Sequence, residues 1–307
     1  MPDVDIVIVN YMSGAHTVKC VQTVLDVAKS DEVGISVTVI DNGDSDSASL
    51  NALRSIKSIH FIQNSTNRGF GAACNQGAAH GSSELILFLN PDATPQSGAL
   101  RSAVNFLRDH EDCAIVGPEI ADASGKVTNS CSNLPSKASL FLRTVGLHKW
   151  LPGSSYPYLP IDRHAQSGEV EQVMGAAMFI RRDVFERLEG FDERFFLYYD
   201  DVDLCARVKS AGYKIFYLQS SRVMHIGRVS STGNPSMALA LHIRSRLTYA
   251  GIYFGRIYQF VLALACVFVE LPMRTLMGPL KTDTITGWRA LQAYRHLLFG
   301  EPRRGAN

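Results

Sequence analysis

The stretch 85–92, LILFLNPD, joins five consecutive apolar residues to a polar turn. An uninterrupted apolar run of this kind predicts a strand that is buried on both faces of a sheet. Three shorter apolar runs precede it, at Ile6–Val9, Val37–Ile40 and His60–Gln63, and apolar residues at helical spacing separate the first two. Strands that alternate with helices in this way predict an α/β fold with a mostly parallel central sheet flanked by helices.

Polar side chains follow three of these strands. Asn10 and Asp41 come directly after the first two, and Asn90 and Asp92 follow LILFL. Because ligands of such sheets bind outside the carboxyl ends of the strands, we expect these four side chains to share one rim. Asp92 can ligate a hard divalent cation that in turn holds a diphosphate, whereas Asn90 can offer only an amide oxygen or a hydrogen bond. Asn-Pro-Asp is also a common turn, so this segment alone leaves both interpretations open.

A glycine-rich segment, NRGFGAACNQG at 67–77, follows the third predicted strand. A dinucleotide-binding fingerprint requires Gly-x-Gly-x-x-Gly after the first strand, and here Cys74 stands at the third glycine. The segment therefore argues against a nicotinamide-dependent oxidoreductase. Two interpretations remain. The turn lets the backbone approach a ligand before a helix carries Asn75 inward, or it is a tight turn that only packs that helix.

In the segment 190–207, GFDERFFLYYDDVDLCAR, the four aromatic residues within 195–199 lead directly into three carboxylates within 200–203. From Asp200 onward the apolar spacing becomes helical, so the acids lie in the first turn of a predicted helix. One carboxylate there can cap the helix while a neighbour takes a proton, which suits a general base. The alternative is that Asp200, Asp201 and Asp203 are ordinary N-terminal helix acids, which the helix dipole favours.

Charge is unevenly divided along the chain. Ten Lys/Arg and three Asp/Glu lie from Arg228 onward, whereas the preceding residues carry 20 basic and 26 acidic side chains. The basic part also contains residues 257–269, which are 13 residues without a charge. That run is shorter than the roughly 20 apolar residues that span a bilayer. Basic and aromatic residues around it predict an interfacial membrane helix, and a core helix, a re-entrant segment and a dimer contact are the alternatives.

The six cysteines are scattered along the chain without a Cys-x-x-Cys pair. This spacing argues against a zinc site or a disulfide framework and suits a reducing cytoplasm. The chain begins MPDVD and then enters a predicted strand, so we expect no signal peptide. We also expect no nucleic-acid partner.

Taken in order, these motifs resemble those of the family 2 inverting glycosyltransferases, and among them the bacterial rhamnosyltransferase-like group. The resemblance extends over about residues 4–230. It implies a GT-A fold, a nucleotide-sugar donor and a divalent metal, Mg²⁺ or Mn²⁺. The segments that carry it are Val9–Tyr11, Asp41–Asn42, Asn67–Gly71 with Asn75, Leu89–Asp92, Gly175–Ala177, Gly190–Phe196, Asp200–Asp203 with Arg207, and His225.

The resemblance also implies a role for each position. Asp201 is the implied catalytic base. Asp92, the last residue of the family's Asp-x-Asp motif, is the implied metal ligand, with His225 as a further ligand or a diphosphate contact. Two positions depart from the family, because Asn90 replaces the first acid of that motif and Asp200 replaces the usual Glu before the base. The implied donor-binding residues are Asn10, Asp41, Asn67, Arg68, Gly69, Gly71, Asn75 and Asn90, and the implied acceptor wall consists of Asp200, Tyr199, Phe196 and Gly175.

The implied activity is transfer of L-rhamnose from dTDP-L-rhamnose to a hydroxyl of a glycan or lipid-linked glycan, in bacterial cell-surface polysaccharide synthesis such as that of O-antigen. UDP-galactofuranose or another UDP-sugar is the alternative donor, and a non-catalytic membrane-surface protein is the alternative class. We expect a catalytic domain at 1–230, with its donor half at about 1–118 and its acceptor half at about 119–230, and a basic helical extension at 231–307. The expected location is cytoplasmic, peripheral on the inner face of the plasma membrane, and a homodimer through the C-terminal region is a further alternative.

Overall fold

The computed structural model describes residues 2–43, 45–149, 159, 164–227, 234–277 and 287–299. The chain forms two compact units. The predicted division into donor-binding, acceptor-binding and C-terminal parts stays a prediction. The first unit consists of Met1–Leu134, Pro157–Phe196 and Asp200–Ser230, and the second of Pro135–Tyr156, Leu197–Tyr199 and Ser231–Asn307.

The described strands lie in the first unit. They are β1 (Val4–Asn10), β2 (Ile35–Asp41), β3 (Ile59–Gln63), β4 (Leu85–Leu89), β5 (Ala93–Pro95), β6 (Cys113–Ala121), β7 (Cys131–Ser132), β8 (Gly168–Val170), β9 (Gln172–Val173), β10 (Ala177–Arg181) and β11 (Lys214–His225). Nine of them form one sheet in the order β3-β2-β1-β4-β10-β6-β11-β5, with β8 paired to β11, while β7 and β9 pair separately. The first four strands run parallel to one another, as the sequence predicted. β10 then runs antiparallel between β4 and β6, which makes the sheet mixed.

Helices cover both faces of this sheet because its central strands are apolar on both faces. Ile6 and Ile8 of β1 belong to one hydrophobic core, and Val7 and Val9 belong to another. Successive side chains of a strand point to opposite faces, so a fully apolar strand needs a cover on each. The helices of the first unit are α1 (Gly14–Asp31), α2 (Ser47–Ser55), α3 (Phe70–Ala78), α4 (Ala99–Asp109), α6 (Arg182–Arg187) and α7 (Asp200–Ser210). Among them, α1 and α4 contribute to the first core, and α3 and α7 contribute to the second.

The second unit is helical in its described residues. Its longest helix begins after Asn234, whose side chain accepts a hydrogen bond from a backbone N–H of the first turn at 3.1 Å. Asn is a favoured residue at this position. The helix ends at Gly255, whose φ of +89° is accessible to glycine and breaks the helical path. The described helices are α5 (Lys137–Thr144), α8 (Pro235–Phe254), α9 (Arg256–Ala265), α10 (Leu271–Met277) and α11 (Gly287–Phe299), with a 3-10 turn at Leu147–Lys149 and a π-helical turn at Cys266–Glu270.

Candidate functional site

The first group of predicted site residues lies at the carboxyl ends of β1 and β2, where Asn10 and Asp41 are neighbours across the two strands. The Asn10 amide nitrogen donates to Asp41 Oδ1 at 2.8 Å and to Ser45 Oγ at 2.6 Å. Its amide oxygen accepts from the hydroxyl groups of Ser13 at 3.1 Å and Thr17 at 2.7 Å. An Asn side chain has two donor hydrogens and two acceptor positions, so all of them are used within the protein. These hydrogen bonds let Asn10 position Asp41, and the nucleotide contact that the resemblance implied for Asn10 stays a prediction.

The two carboxylate oxygens of Asp41 have different surroundings, although the residue is fully buried. Oδ1 accepts hydrogen bonds from Asn10 at 2.8 Å and from the Ser45 hydroxyl at 2.5 Å. Oδ2 has no hydrogen-bond partner among the residues that the structure describes. A buried acceptor without a donor costs about 1–3 kcal/mol, and more when it is charged. A ligand that supplies an N–H or O–H group to Oδ2 would remove this cost.

The neighbouring residue Asn42 connects this edge of the sheet to the glycine segment, a role that the sequence analysis did not assign. Its amide nitrogen donates to Asn67 Oδ1 at 2.9 Å and to the Gly69 carbonyl at 3.0 Å. Its amide oxygen accepts from Asn64 Nδ2 and from the Arg68 backbone N–H, both at 3.1 Å. The one available sequence signal was its position directly after Asp41. We call two hydrogen-bonded pairs of side chains the donor rim: Asn10 with Asp41, and Asn42 with Asn67.

Gly69 and Gly71 bring the start of α3 close to the aromatic segment before α7. Gly69 has a φ of +89°, and a Cβ there would lie 2.7 Å from the Phe196 carbonyl oxygen. That oxygen accepts a hydrogen bond from the Phe70 N–H at 2.9 Å. A Cβ on Gly71 would lie 3.0 Å from Cβ of Phe191. Both glycines therefore allow close packing within the protein, and an approach of this turn to a ligand stays a prediction.

Asn75 holds a loop of the first unit in place. Its amide nitrogen donates to the Phe191 carbonyl at 2.9 Å and to Glu193 Oε1 at 3.3 Å, and its oxygen accepts the Phe191 N–H at 2.8 Å. These contacts give Asn75 a structural role, and the nucleotide contact that the resemblance implied for it stays a prediction. Arg68, by contrast, is exposed, and its guanidinium lies 3.5 Å from the Gln76 side chain.

His225 ends β11, where it lies across from Ala93 of β5, and this pairing brings its ring to the turn after β4. Nε2 of His225 lies 3.2 Å from Asp92 Oδ1 and 3.5 Å from the Asn90 amide nitrogen. Burial by itself raises the pKa of the Asp92 carboxyl, but the hydrogen bond and the charge of His225 outweigh it, and the pKa lies below its usual value. Asp92 is therefore ionised at neutral pH.

The pair formed by Asp92 and His225 fits a divalent cation that is shared with a substrate. Carboxylate oxygens suit both Mg²⁺ and Mn²⁺, and an imidazole nitrogen is an acceptable ligand for a transition metal. Within the described part of the chain, no group of three His, Cys, Asp or Glu side chains could hold a metal ion. A cation at this pair would take its other ligands from water and phosphate oxygens, as Mg²⁺ commonly does.

The three acids in the first turn of α7, Asp200, Asp201 and Asp203, have different partners, and we call them the acid cluster. Asp201 is half-buried, and its Oδ2 accepts the Gly175 N–H at 2.9 Å while its Oδ1 accepts an N–H of the helix at 2.8 Å. Asp203 is buried and forms an ion pair with Arg207 at 2.8 Å. Asp203 thus has the structural role of a helix acid, whereas Asp201 faces a strand end at the site.

Asp200 is the least satisfied of the three acids. It is 4% exposed, and its Oδ2 has no hydrogen-bond partner among the described residues. Burial and then the charge of Asp201 raise the pKa of Asp200 to about 8. Burial also raises the pKa of Asp201, although the hydrogen bond from Gly175 opposes this effect. The preceding residues, Tyr198 and Tyr199, have φ values of +67° and +64°, a left-handed backbone that non-glycine residues seldom adopt. Perturbed carboxylates and backbone strain at one point are typical of reactive sites.

Gly175 and Ala176 link the acid cluster to Asp92 and His225, the two predicted metal ligands, which we call the metal-binding pair. The Gly175 N–H binds Asp201, and the Ala176 carbonyl accepts the Asn90 N–H at 2.9 Å. A small residue is needed here, because a Cβ on Gly175 would lie 3.2 Å from Cβ of Asp201. The structure therefore brings the predicted base and the predicted metal ligands into one connected region of the first unit. Tyr199, a predicted wall residue, belongs to the second unit, where its ring packs against two other rings.

Residues 2–247, which include every predicted site residue, match the family model described as Glycosyltransferase like family 2. The N-acetylglucosaminyl-diphospho-decaprenol L-rhamnosyltransferase of Mycobacterium tuberculosis is 27% identical over 258 residues, which cover 78% of this chain and 81% of the relative. The low-salt glycan biosynthesis hexosyltransferase Agl10 of Haloferax volcanii is 27% identical over 261 residues, which cover 83% of this chain and 78% of the relative. The rhamnosyltransferase WbbL of Escherichia coli K12 is 23% identical over 167 residues, which cover 54% of this chain and 61% of the relative.

The fold is also similar to a solved structure, that of GalNAc-T7 with UDP, GalNAc and Mn²⁺. The TM-score is 0.59 at 14% sequence identity, and the alignment covers 82% of this chain and 48% of the other. The chain thus spans about half the length of that structure. At this identity the similarity shows the fold alone, and it confirms the predicted GT-A fold.

Proposed function

This chain belongs to the glycosyltransferase like family 2, and we propose that it transfers L-rhamnose from dTDP-L-rhamnose to a hydroxyl group with inversion at the anomeric carbon. Two relatives that are named as rhamnosyltransferases support the choice of sugar. The observation that carries the proposal is the hydrogen bond from the Gly175 N–H to Asp201. The next residue, Ala176, accepts the N–H of Asn90, which lies beside the metal-binding pair.

Asp201 is the proposed general base. An acceptor hydroxyl is a poor nucleophile, so a carboxylate takes its proton as the new bond to the anomeric carbon forms. The bond to the nucleoside diphosphate breaks at the same carbon, and its electron pair leaves with the diphosphate, so one displacement inverts the configuration. The Gly175 N–H holds the carboxylate in one orientation. Burial raises the pKa of Asp201 toward the working pH, where a general base is most effective.

Asp92 and His225 are the proposed ligands of a divalent cation, Mg²⁺ or Mn²⁺. When it is bound, such a cation supplies positive charge to the phosphate oxygens of the leaving group as a Lewis acid. The protein's part is to keep Asp92 ionised and within 3.2 Å of the His225 ring, in the turn that follows β4. Asn90, which replaces an acid of the family motif, adds no charge to this position.

Asp41 is the proposed contact for the nucleoside. Its orphaned Oδ2 can accept the imide N–H of a pyrimidine or a sugar hydroxyl, and the donor rim holds it in place. Thymine and uracil both carry this imide N–H. The contact therefore suits dTDP-sugars and UDP-sugars alike, and it leaves UDP-galactofuranose or another UDP-sugar as the alternative donor.

A lipid-linked glycan of cell-surface polysaccharide synthesis is the proposed acceptor, and the proposed location is the cytoplasmic face of the membrane. The name of the Mycobacterium tuberculosis relative, which refers to a decaprenol-linked substrate, supports this acceptor class. An apolar helix in the second unit supports the location.

The test is a calorimetric titration of the full chain with dTDP-L-rhamnose, UDP-galactofuranose and UDP-glucose, each with and without Mn²⁺. We expect metal-dependent binding of dTDP-L-rhamnose and slow metal-stimulated release of dTDP. Transfer to a polyprenyl-diphosphate-linked acceptor is then followed by mass spectrometry. Absence of binding to all three nucleotide sugars in the presence of Mn²⁺ would contradict the proposed function, and preference for a UDP-sugar would replace the proposed donor.

A further inference from the structure

The helix that starts with α9 presents a bare apolar face in the second unit. Ile257 is 85% exposed, Phe260 is 63% exposed and Phe268 is 71% exposed. Helical spacing places such residues on one side of the helix. Large apolar side chains exposed as one contiguous group mark an interaction surface. We call this group the apolar stripe, which consists of Ile257, Phe260, Val261, Leu264, Val267 and Phe268.

The opposite side of the same helix is packed against its own unit. Leu262 and Cys266 are buried, and the Cys266 carbonyl accepts a hydrogen bond from the Tyr294 hydroxyl of α11 at 2.6 Å. Near the start of the helix, the Tyr258 hydroxyl donates to the Lys137 carbonyl of α5 at 2.5 Å. The helix is therefore held along one side, and the apolar stripe is the side that its described neighbours leave exposed.

By length and composition, Arg256–Leu276 is the one described helix that could cross a bilayer, with 21 residues and a mean hydropathy of 1.5 over an 18-residue stretch. Its contacts favour a different placement. Glu270 is 5% exposed and forms ion pairs with Arg246 of α8 and with Arg274, the latter at 2.8 Å. A spanning orientation would bring these charges and the packed neighbouring helices into hydrocarbon, which is costly. A helix that is packed on one side and apolar on the other suits the plane of the interface.

The second unit is also strongly basic. Its sequence contains twelve Lys/Arg and three Asp/Glu, a net charge of +9, whereas the rest of the chain contains 18 and 26, a net charge of −8. Lys137 and Arg256 are exposed at the end of the helix where the apolar stripe begins. This combination complements an anionic bilayer, because apolar side chains can enter the acyl boundary while basic side chains bind lipid phosphates.

We propose that the second unit docks on an anionic lipid bilayer through the apolar stripe, with α9 lying in the plane of the interface and not crossing it. The charge of the unit selects an anionic lipid surface over a second copy of the same basic unit. The proposal deepens the proposed function and rests on it for its purpose, which is to keep the enzyme on the surface that carries a lipid-linked acceptor. Vesicle binding without substrate can nevertheless be measured separately from transfer.

The experiment is flotation of the full chain with vesicles of phosphatidylglycerol and phosphatidylethanolamine, compared with vesicles of phosphatidylcholine. We expect the wild type to float with the anionic vesicles, and less so at high salt. The double variant Phe260→Glu/Phe268→Glu should lose about tenfold or more of the bound fraction, because two charges replace side chains that enter the bilayer. Leu147→Glu is the matched control, since Leu147 is 50% exposed in the same unit but lies outside the stripe. It should float like the wild type.

Several outcomes would overturn the proposal. The first is that the wild type fails to float with anionic vesicles, and the second is that the double variant floats as well as the wild type. The third is that the chain does not bind vesicles and the double variant loses self-association of the chain, which would identify the apolar stripe as a contact between two copies. The fourth is that alkaline carbonate fails to extract the protein from membranes, which would identify a spanning helix. Loss of transfer with intact vesicle binding, by contrast, would count against the proposed function alone.

Discussion

The donor rim and the acid cluster lie in the same unit, and each contains one buried carboxylate oxygen, Oδ2 of Asp41 or Oδ2 of Asp200, without a hydrogen-bond partner among the described residues. The side chains around these two oxygens differ. On the rim, the amide groups of Asn10 and Asn42 are hydrogen bonded within the protein on both the nitrogen and the oxygen. In the acid cluster, Asp200 is buried with one oxygen unpartnered among the described residues, and burial raises the pKa of its carboxyl to about 8. The backbone just before it is left-handed at two consecutive tyrosines.

This difference separates a preorganised binding surface from a reactive one. The Asn10 and Asn42 amides of the rim are fully hydrogen bonded, so loss of either one leaves its buried partners without hydrogen bonds. A cluster of incompletely compensated carboxylates costs stability, and such perturbed groups are what acid–base chemistry requires. We therefore expect substitutions on the rim to lower stability, and substitutions in the cluster to lower activity while stability is kept or raised.

The largest effect is expected from Asp201→Asn. The amide oxygen can still accept the Gly175 N–H, so that contact should be retained. The amide nitrogen cannot accept the helix N–H that Oδ1 now accepts, and the side chain can no longer take a proton. We expect kcat for transfer to fall by about 10²–10⁴. The Kd for the nucleotide sugar, measured by calorimetry, should stay within about twofold of the wild-type value because the donor rim is unchanged. Wild-type turnover by the purified variant would exclude Asp201 as the base.

The second effect concerns the metal-binding pair. Asp92→Ala removes the ionised carboxylate and leaves the His225 ring as the one remaining ligand of the pair, so Mn²⁺ affinity in the presence of dTDP should fall by about 10–100-fold. The paramagnetic resonance signal of free Mn²⁺ measures this without any turnover. Asn90→Ala is the comparison variant, and a smaller loss is expected because it removes no charge. Equal Mn²⁺ binding by Asp92→Ala and the wild type would place the metal elsewhere.

A rim substitution should show the opposite pattern. Asn42→Ala removes four hydrogen bonds from a buried position, so the free energy of unfolding in urea should fall by about 1–3 kcal/mol. Asn64→Ala, which removes one contact to Asn42 at 3.1 Å from a half-buried position, should cost less. If Asn42→Ala abolished nucleotide binding without any change in stability, the rim would be a contact surface and not a scaffold.

The smallest effect is expected from Asp200→Asn, which should raise the stability of the protein instead of lowering it. The pKa of Asp200 is about 8 in the folded protein, whereas the pKa of an unfolded Asp is about 3.9. Between these two pH values the folded protein therefore keeps a proton that the unfolded chain has released. The stability that Asp200 contributes is thus fully present below about pH 4 and is lost as the pH rises through about 8. Asn does not ionise, so the variant should melt about 2–4 °C above the wild type at pH 8. The difference should shrink toward pH 5. Identical melting profiles across this range would show that Asp200 is not buried as a neutral acid.

Part of the site was predictable from the sequence because it depends on position along strands. The residues after the apolar runs, such as Asp41 and Asp92, lie at strand ends as predicted, since parallel strands align their carboxyl ends. His225 was selected from the resemblance alone, and the pairing of β11 with β5 brings its ring to Asp92. The distinction between Asp203 and Asp201 follows from partners that helix periodicity does not specify.

The sequence by itself determined the α/β fold and the family, because apolar runs of strand length and the order of short motifs are local properties. Only the tertiary structure decided which polar residues are scaffold and which are left for a ligand. Asn75 pairs with Phe191, 116 positions away, and Asp201 pairs with Gly175, 26 positions away. Whether a buried donor or acceptor is satisfied depends on such distant partners, and the residue type alone carries no record of them.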